Sequence, residues 1–130
     1  MTLALDTNAY SSLQIGGFPK LKTIVDRGEQ LILPFIVDAE LKAGFSKGPR
    51  KEDNYEKLHK FENLDRVRLI WADDITNEIY ARIWADLSQK GKPIPTNDVW
   101  IAAICLQYHL TLISNDEHFT HISLLRTIKF

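Results

Sequence analysis

The chain has 130 residues, of which 45% are hydrophobic and 25% charged, and carries a formal net charge of −1 at pH 7. That length supports one sizeable core and not two ordinary domains, and the composition excludes fibrous and disordered classes, so residues 1–130 read as a single domain. A charge this close to zero draws the chain to neither nucleic acid nor membrane, so a polyanion must be held by a local basic patch or through bound cations.

"LAL", residues 3–5, reads as a short buried strand and is followed by a helical stretch. In "FPKLKTIVDRG" the residues Phe18, Leu21, Ile24 and Val25 share one helical face, and Gly28 is its stop. "LILP", residues 31–34, is a second buried strand, with a helix from Phe35 to about Ser46 that ends before Gly48-Pro49 in the basic loop "SKGPRK". Tyr55, Leu58, Phe61 and Leu64 recur every third residue, as one stripe of a helix does. "VRLIW", residues 67–71, alternates Val67, Leu69 and Trp71, the period of a strand with one apolar face. Asp73 or Asp74 then caps a helix carrying Ile75, Ile79, Ile83 and Leu87, with Gly91 just past its end. After the loop "KPIPT", Thr96 is placed to cap a helix that buries Ile101, Ala102 and Cys105. "LTLIS", residues 110–114, and "TIKF" are the remaining strand candidates. Strands alternating with helices predict an α/β fold, a mainly parallel central sheet flanked by helices on both faces.

Cys105 is the lone cysteine and lies in an apolar run, the place of a buried thiol in a reducing compartment. The N-terminus lacks a basic segment followed by a long apolar one, and no run reaches the roughly 18 apolar residues a span requires. The expectation is a cytoplasmic protein without membrane association.

Four acids carry the chemistry. Asp6 follows the first strand, Asp116 follows "LTLIS", Glu40 lies early in the helix after "LILP", and Asp98 opens the helix after "KPIPT". In parallel α/β sheets ligands bind beyond the carboxyl ends of the strands, where all four would converge. Taken singly, Asp6 and Asp116 are equally Asx turns or helix caps, and Asp98 a first-turn acid favoured by the helix dipole. Together, four carboxylates in a partly dry cleft require a cation, and an all-oxygen set suits Mg²⁺ or Mn²⁺ where zinc would require Cys or His clusters. Such an ion carries water that can serve as the nucleophile for phosphodiester hydrolysis. Asp38, Asp73, Asp74, Glu78, Asp86 and Glu117 read as solvated or capping acids, His118 as a surface or supporting residue and not a ligand, and Phe119 as core.

The stretches "LALDTN", "PFIVDAELKAG" and "PIPTNDVWIAAICLQYHLTLISNDEHF" together resemble the PIN domain, and more narrowly the VapC-type toxins of bacterial toxin–antitoxin pairs, over essentially the whole chain. The resemblance implies a Mg²⁺- or Mn²⁺-dependent ribonuclease whose catalytic and metal-binding residues are Asp6, Glu40, Asp98 and Asp116. Thr7, Asn8 and Ser114 would support them, Ser114 standing where the family often has Thr. It also implies a homodimer and a cognate antitoxin whose C-terminal segment covers the acidic groove.

Lys47, Arg50, Lys51, Lys90 and Lys92 are the cations placed by sequence to meet an RNA backbone. Trp71, Trp84 and Trp100 are candidate anchors for a partner, although Trp is also ordinary core. An aspartyl phosphatase would carry a second acid where Asn8 stands, and a receiver domain an acidic pair after the first strand. The competing class is a catalytically silent PIN-fold module that binds RNA or a protein partner.

Overall fold

A computed structural model describes all of residues 1–130. Five strands, β1 (Thr2–Leu5), β2 (Gln30–Pro34), β3 (Val67–Ile70), β4 (Thr111–Ile113) and β5 (Arg126–Ile128), form one sheet in the order β3-β2-β1-β4-β5. Every pairing is parallel, so the sheet is wholly parallel where the sequence predicts a mainly parallel one. The central strands are apolar on both sides: Leu3, Ala4, Leu5, Leu33, Leu112 and Ile113 are completely buried. Burial on both faces is what a parallel sheet covered by helices demands.

Six helices surround the sheet: α1 (Thr7–Ile15), α2 (Pro19–Arg27), α3 (Phe35–Ser46), α4 (Lys51–Glu62), α5 (Asp74–Gln89) and α6 (Thr96–Gln107). Helix α6 buries Val99 and every residue from Ile101 to Cys105, so it is a core element and not a one-sided surface helix. Cys105 lies within it, and burial pushes its thiol far above the ordinary range, which makes it inert. Gly28 ends α2 where a Cβ would fall 2.7 Å from Leu3 Cδ1, so a bare backbone lets α2 return to β2 beside β1.

The structure chooses between two alternatives at one helix start and corrects several other sequence readings. Asp73, not Asp74, caps α5, with Oδ1 accepting from Ile75 N and Thr76 N and with the Thr76 hydroxyl closing the box. Thr96 is the first residue of α6 and not its cap: Pro95 occupies the cap position and no side chain bonds there. Trp71 falls beyond β3 and is 65% exposed, because β3 is an edge strand with a single sheet neighbour. Leu64 falls beyond the end of α4, outside the stripe read for it, and Ile75 lies in the first turn of α5, both exposed. Asp38 is buried, not solvated. Its Oδ2 pairs with Lys42 Nζ at 2.9 Å and its carboxyl faces Glu62 at the end of α4.

Candidate active site

The strand order makes β1 and β4 neighbours, with Leu5 registered on Ile113. Asp6 and Ser114 therefore leave the same edge of the sheet side by side, and both are buried. The two readings of each strand-terminal acid turn out to be compatible. Asp6 caps α1, its Oδ1 accepting from Ala9 N at 2.8 Å, and Asp116 caps a 3-10 helix (Glu117–His121), its Oδ1 accepting from His118 N at 2.9 Å. A cap fixes a carboxylate at the end of its strand while leaving lone pairs free for another partner.

Ser114 ties these two together. Its hydroxyl bonds the Asp6 carboxylate and accepts from Asp116 N at 3.0 Å. Glu40, half-buried on the second turn of α3, accepts from the Thr7 hydroxyl at 2.8 Å through Oε1 and from Asn97 Nδ2 at 3.2 Å through Oε2. Asp98 lies in the first turn of α6, with its side chain 16% exposed. Its Oδ2 is 2.9 Å from His118 Nδ1, and the same nitrogen is 3.1 Å from Asp116 Oδ1. One ligand atom from each of Asp98, Asp116 and His118 can be chosen so that all lie within 4.8 Å of one another.

Electrostatics bind the four acids into one group. Burial raises the Asp6 carboxyl above its ordinary range, opposed by the bonds from Ser114 and Ala9, with the negative charges of Asp116 and Asp98 adding to the rise. Burial likewise raises Asp98, opposed by His118, with Asp116 and Glu40 adding to the rise. Asp6 and Asp98 thus feel their neighbours as like charge, which is the condition under which a cation is retained.

Of the supporting residues read from sequence, Thr7 and Ser114 contact the acids, while Asn8 is exposed and bonds none of them. Asn97 is the contact that sequence reasoning passed over, while His118, read as a surface or supporting residue, contacts Asp98 and Asp116. Asn97 had a signal, since it stands one residue before Asp98 at a helix start. His118 had one too, two residues after Asp116 in a turn. Lys47, Arg50, Lys51, Lys90 and Lys92 are all exposed, and Lys90 is paired with Asp86 at 2.8 Å.

The family model described as "PIN domain" matches residues 3–125. The chain belongs to the PIN domain family. Among its curated relatives, "Ribonuclease VapC1" of Haemophilus influenzae strain R2866 is 32% identical over 95% of this chain and 93% of its own length. "Ribonuclease VapC2" of Rickettsia felis is 32% identical over 72% of this chain and 68% of its own. Among solved structures, VapBC-1 from nontypeable Haemophilus influenzae superposes with a TM-score of 0.88 at 25% identity, covering 99% of this chain and 98% of that one. VapBC2 from Rickettsia felis, bound to a DNA fragment from its promoter, gives 0.84 at 28% identity over 100% of this chain and 99% of that one. This PIN domain is therefore similar along its whole length to VapC ribonucleases and to the chains of VapBC toxin–antitoxin complexes.

Proposed function

We propose that this PIN domain is a divalent-metal-dependent ribonuclease, the toxin of a toxin–antitoxin pair, with Asp6, Glu40, Asp98 and Asp116 as its catalytic and metal-holding acids. The single observation that carries the reading is the meeting of Asp98, Asp116 and His118 ligand atoms within 4.8 Å, beside the buried Asp6 at the shared edge of β1 and β4. The donor set fits Mg²⁺ or Mn²⁺, because the carboxylates are hard oxygen donors in a partly desolvated site. When bound, such an ion supplies charge neutralisation and an acidified water for attack on phosphorus.

The chain's own residues set up the rest. Ser114 and Ala9 hold the Asp6 carboxylate, Thr7 and Asn97 hold Glu40, and the capped 3-10 turn holds Asp116, so the acids meet the substrate without reorganising. The exposed cations Lys47, Arg50, Lys51 and Lys92 are available to a phosphate backbone, as is Lys90 once it leaves Asp86.

Two partners complete the proposal. The first is a second copy of the chain. Trp71 stacks on Phe35 at 6.1 Å, Phe35 meets Trp100 edge-on at 5.8 Å, and Trp71, Ile75 and Trp84 are all more than half exposed, an aromatic surface of the kind that homodimers cover. The second is an antitoxin that inserts a basic side chain among the acids and so competes with the cation. The setting is the cytoplasm, and no helix is long and apolar enough to cross a membrane.

The test is RNA cleavage by the purified chain with and without added Mg²⁺ or Mn²⁺, together with expression alone and with the gene immediately upstream. Metal-dependent cleavage, and growth arrest relieved by the neighbour and absent for Asp98→Asn, are the expected results. A chain that binds RNA without cutting it under either metal would instead be the silent binding module.

A further inference from the structure

Building on the acidic edge as a cation site, we infer that His118 is a direct ligand of that cation, and that its nitrogen biases the site toward a transition ion such as Mn²⁺ over Mg²⁺. The donors divide into two sets. Glu40 has both oxygens engaged, by Thr7 and Asn97, and Asp6 is engaged by Ala9 N and Ser114. Asp98, Asp116 and His118 turn toward one another, with Nδ1 at 2.9 Å from Asp98 Oδ2 and 3.1 Å from Asp116 Oδ1, an oxygen that the His118 N–H also reaches. Adjacent ligands of an octahedral ion with bonds of about 2.1 Å are separated by about 3.0 Å. The nitrogen thus stands at the spacing of a neighbouring corner from each of the two oxygens.

The ring is positioned by its backbone and not by a long flexible tether. The His118 N–H donates to Asp116 Oδ1, which sets residue and ligand on the same 3-10 turn, and the adjoining Phe119, 1% exposed, anchors that turn in the core. Nδ1 faces two carboxylate oxygens at hydrogen-bond distance and so carries the proton in this arrangement, but Nε2 has no protein partner and can take that proton when Nδ1 turns its lone pair to an ion. Mg²⁺ takes oxygen almost exclusively and dehydrates reluctantly, whereas first-row transition ions accept imidazole readily. One nitrogen among carboxylates therefore raises affinity for Mn²⁺ and does little for Mg²⁺. The alternative is that His118 only bridges the two acids in the metal-free protein and leaves when an ion enters.

Titration of the full chain with Mn²⁺ and with Mg²⁺, and pulsed electron paramagnetic resonance of the Mn²⁺-loaded protein, separate the two. The expected results are nitrogen coupling to Mn²⁺ in the parent, its loss in His118→Ala, a Mn²⁺ affinity lowered about tenfold or more by that change, and a Mg²⁺ affinity changed less than about threefold. The side chain is 46% exposed, so the variant should fold, which circular dichroism checks. Mn²⁺ bound without nitrogen coupling, or an unchanged preference in His118→Ala, overturns the inference. RNA cleavage with no nitrogen at the ion would overturn this inference alone, while nitrogen coupling in a protein that cuts no RNA would support it and overturn the nuclease.

Discussion

The molecule holds carboxyl groups out of water in two places and keeps each stable in a different way. At the sheet edge, Asp6, Glu40, Asp98 and Asp116 are bound by protein donors, and Asp98 and Asp116 face a partly exposed histidine. Between α3 and α4, Asp38 and Glu62 face each other beside Lys42, and Asp38 Oδ1, Glu62 Oε2 and the Tyr10 hydroxyl are buried without a partner. Burial first, then the bond to Asp38, pushes the Glu62 carboxyl up to about 7. The inner pair thus lowers its charge by keeping a proton, with Lys42 neutralising Asp38. The outer group has no cation of this kind buried beside it, and it opens to solvent through His118 and Asp116. Like charges gathered in a cleft that opens to solvent, with no buried cation beside them, are the arrangement on which the proposed ion site rests.

The comparison breaks most decisively on activity. Asp98→Asn keeps shape and removes a charge, so metal-dependent cleavage should fall at least about 100-fold, equivalent to about 2.7 kcal/mol of barrier, and Asp6→Asn, Glu40→Gln and Asp116→Asn should do the same. Glu62→Gln, in the inner pair, should leave cleavage unchanged. Equal losses in both groups would mean that the outer acids are structural.

Metal should distinguish the groups next most strongly. An ion that binds only the folded state adds about 2.7 kcal/mol at one hundred times its dissociation constant, so Mn²⁺ should raise the melting temperature of the parent and of Glu62→Gln, and chelator should reverse the rise. Asp98→Asn should show no such shift. A rise of equal size in Asp98→Asn would place the ion elsewhere.

A smaller effect belongs to the metal-free protein. Asp6 and Asp98 carry carboxyls raised above their ordinary 3.8, so the folded chain holds those protons more tightly than the unfolded one. Their contribution is fully present below pH 3.8 and is lost as pH rises through the raised values, leaving a penalty at neutral pH. Asp98→Asn removes its share and should melt a few degrees above the parent at neutral pH without metal, the gain shrinking on acidification. Cation binding should weaken as pH falls through the same raised range, at higher pH than for ordinary carboxylates.

Much of this contrast was legible in the sequence, for reasons that particular residues make plain. Asp6 directly follows an apolar run and Asp116 follows one after Asn115, and a parallel sheet sends such residues to one edge. The runs themselves are short and doubly buried, which fixes β1, β2 and β4 without ambiguity. Asp38 was misread as solvated because nothing local separates it from Glu40 two residues on. Its burial depends on α4 bringing Glu62 alongside, a pairing 24 positions away that no periodicity encodes. Trp71 was misread because alternation marks an apolar face but cannot say that β3 is an edge strand. His118 needed the turn geometry that points Nδ1 back at Asp98, 20 positions earlier.

The finest test lies in the inner pair. Because the folded state raises the Glu62 carboxyl from 4.5 to about 7, folding retains a proton that the unfolded chain has already released within that interval. The parent should therefore lose stability as pH climbs from 4.5 to about 7 and level off above it. The groups facing Glu62 are Asp38 and Lys42 from α3 and Tyr10 from α1, and Tyr10 is itself pushed up to about 12, so neither it nor Lys42 changes charge in that interval. Glu62→Gln keeps a donor for Asp38 without a titrating proton. Its denaturation midpoint, set against the parent's, should gain steadily from pH 4.5 and reach a plateau at about 7, while Asp98→Asn gains over the range set by its own site. Parallel pH curves for parent and Glu62→Gln would show that the inner pair does not hold its charge in check with a proton.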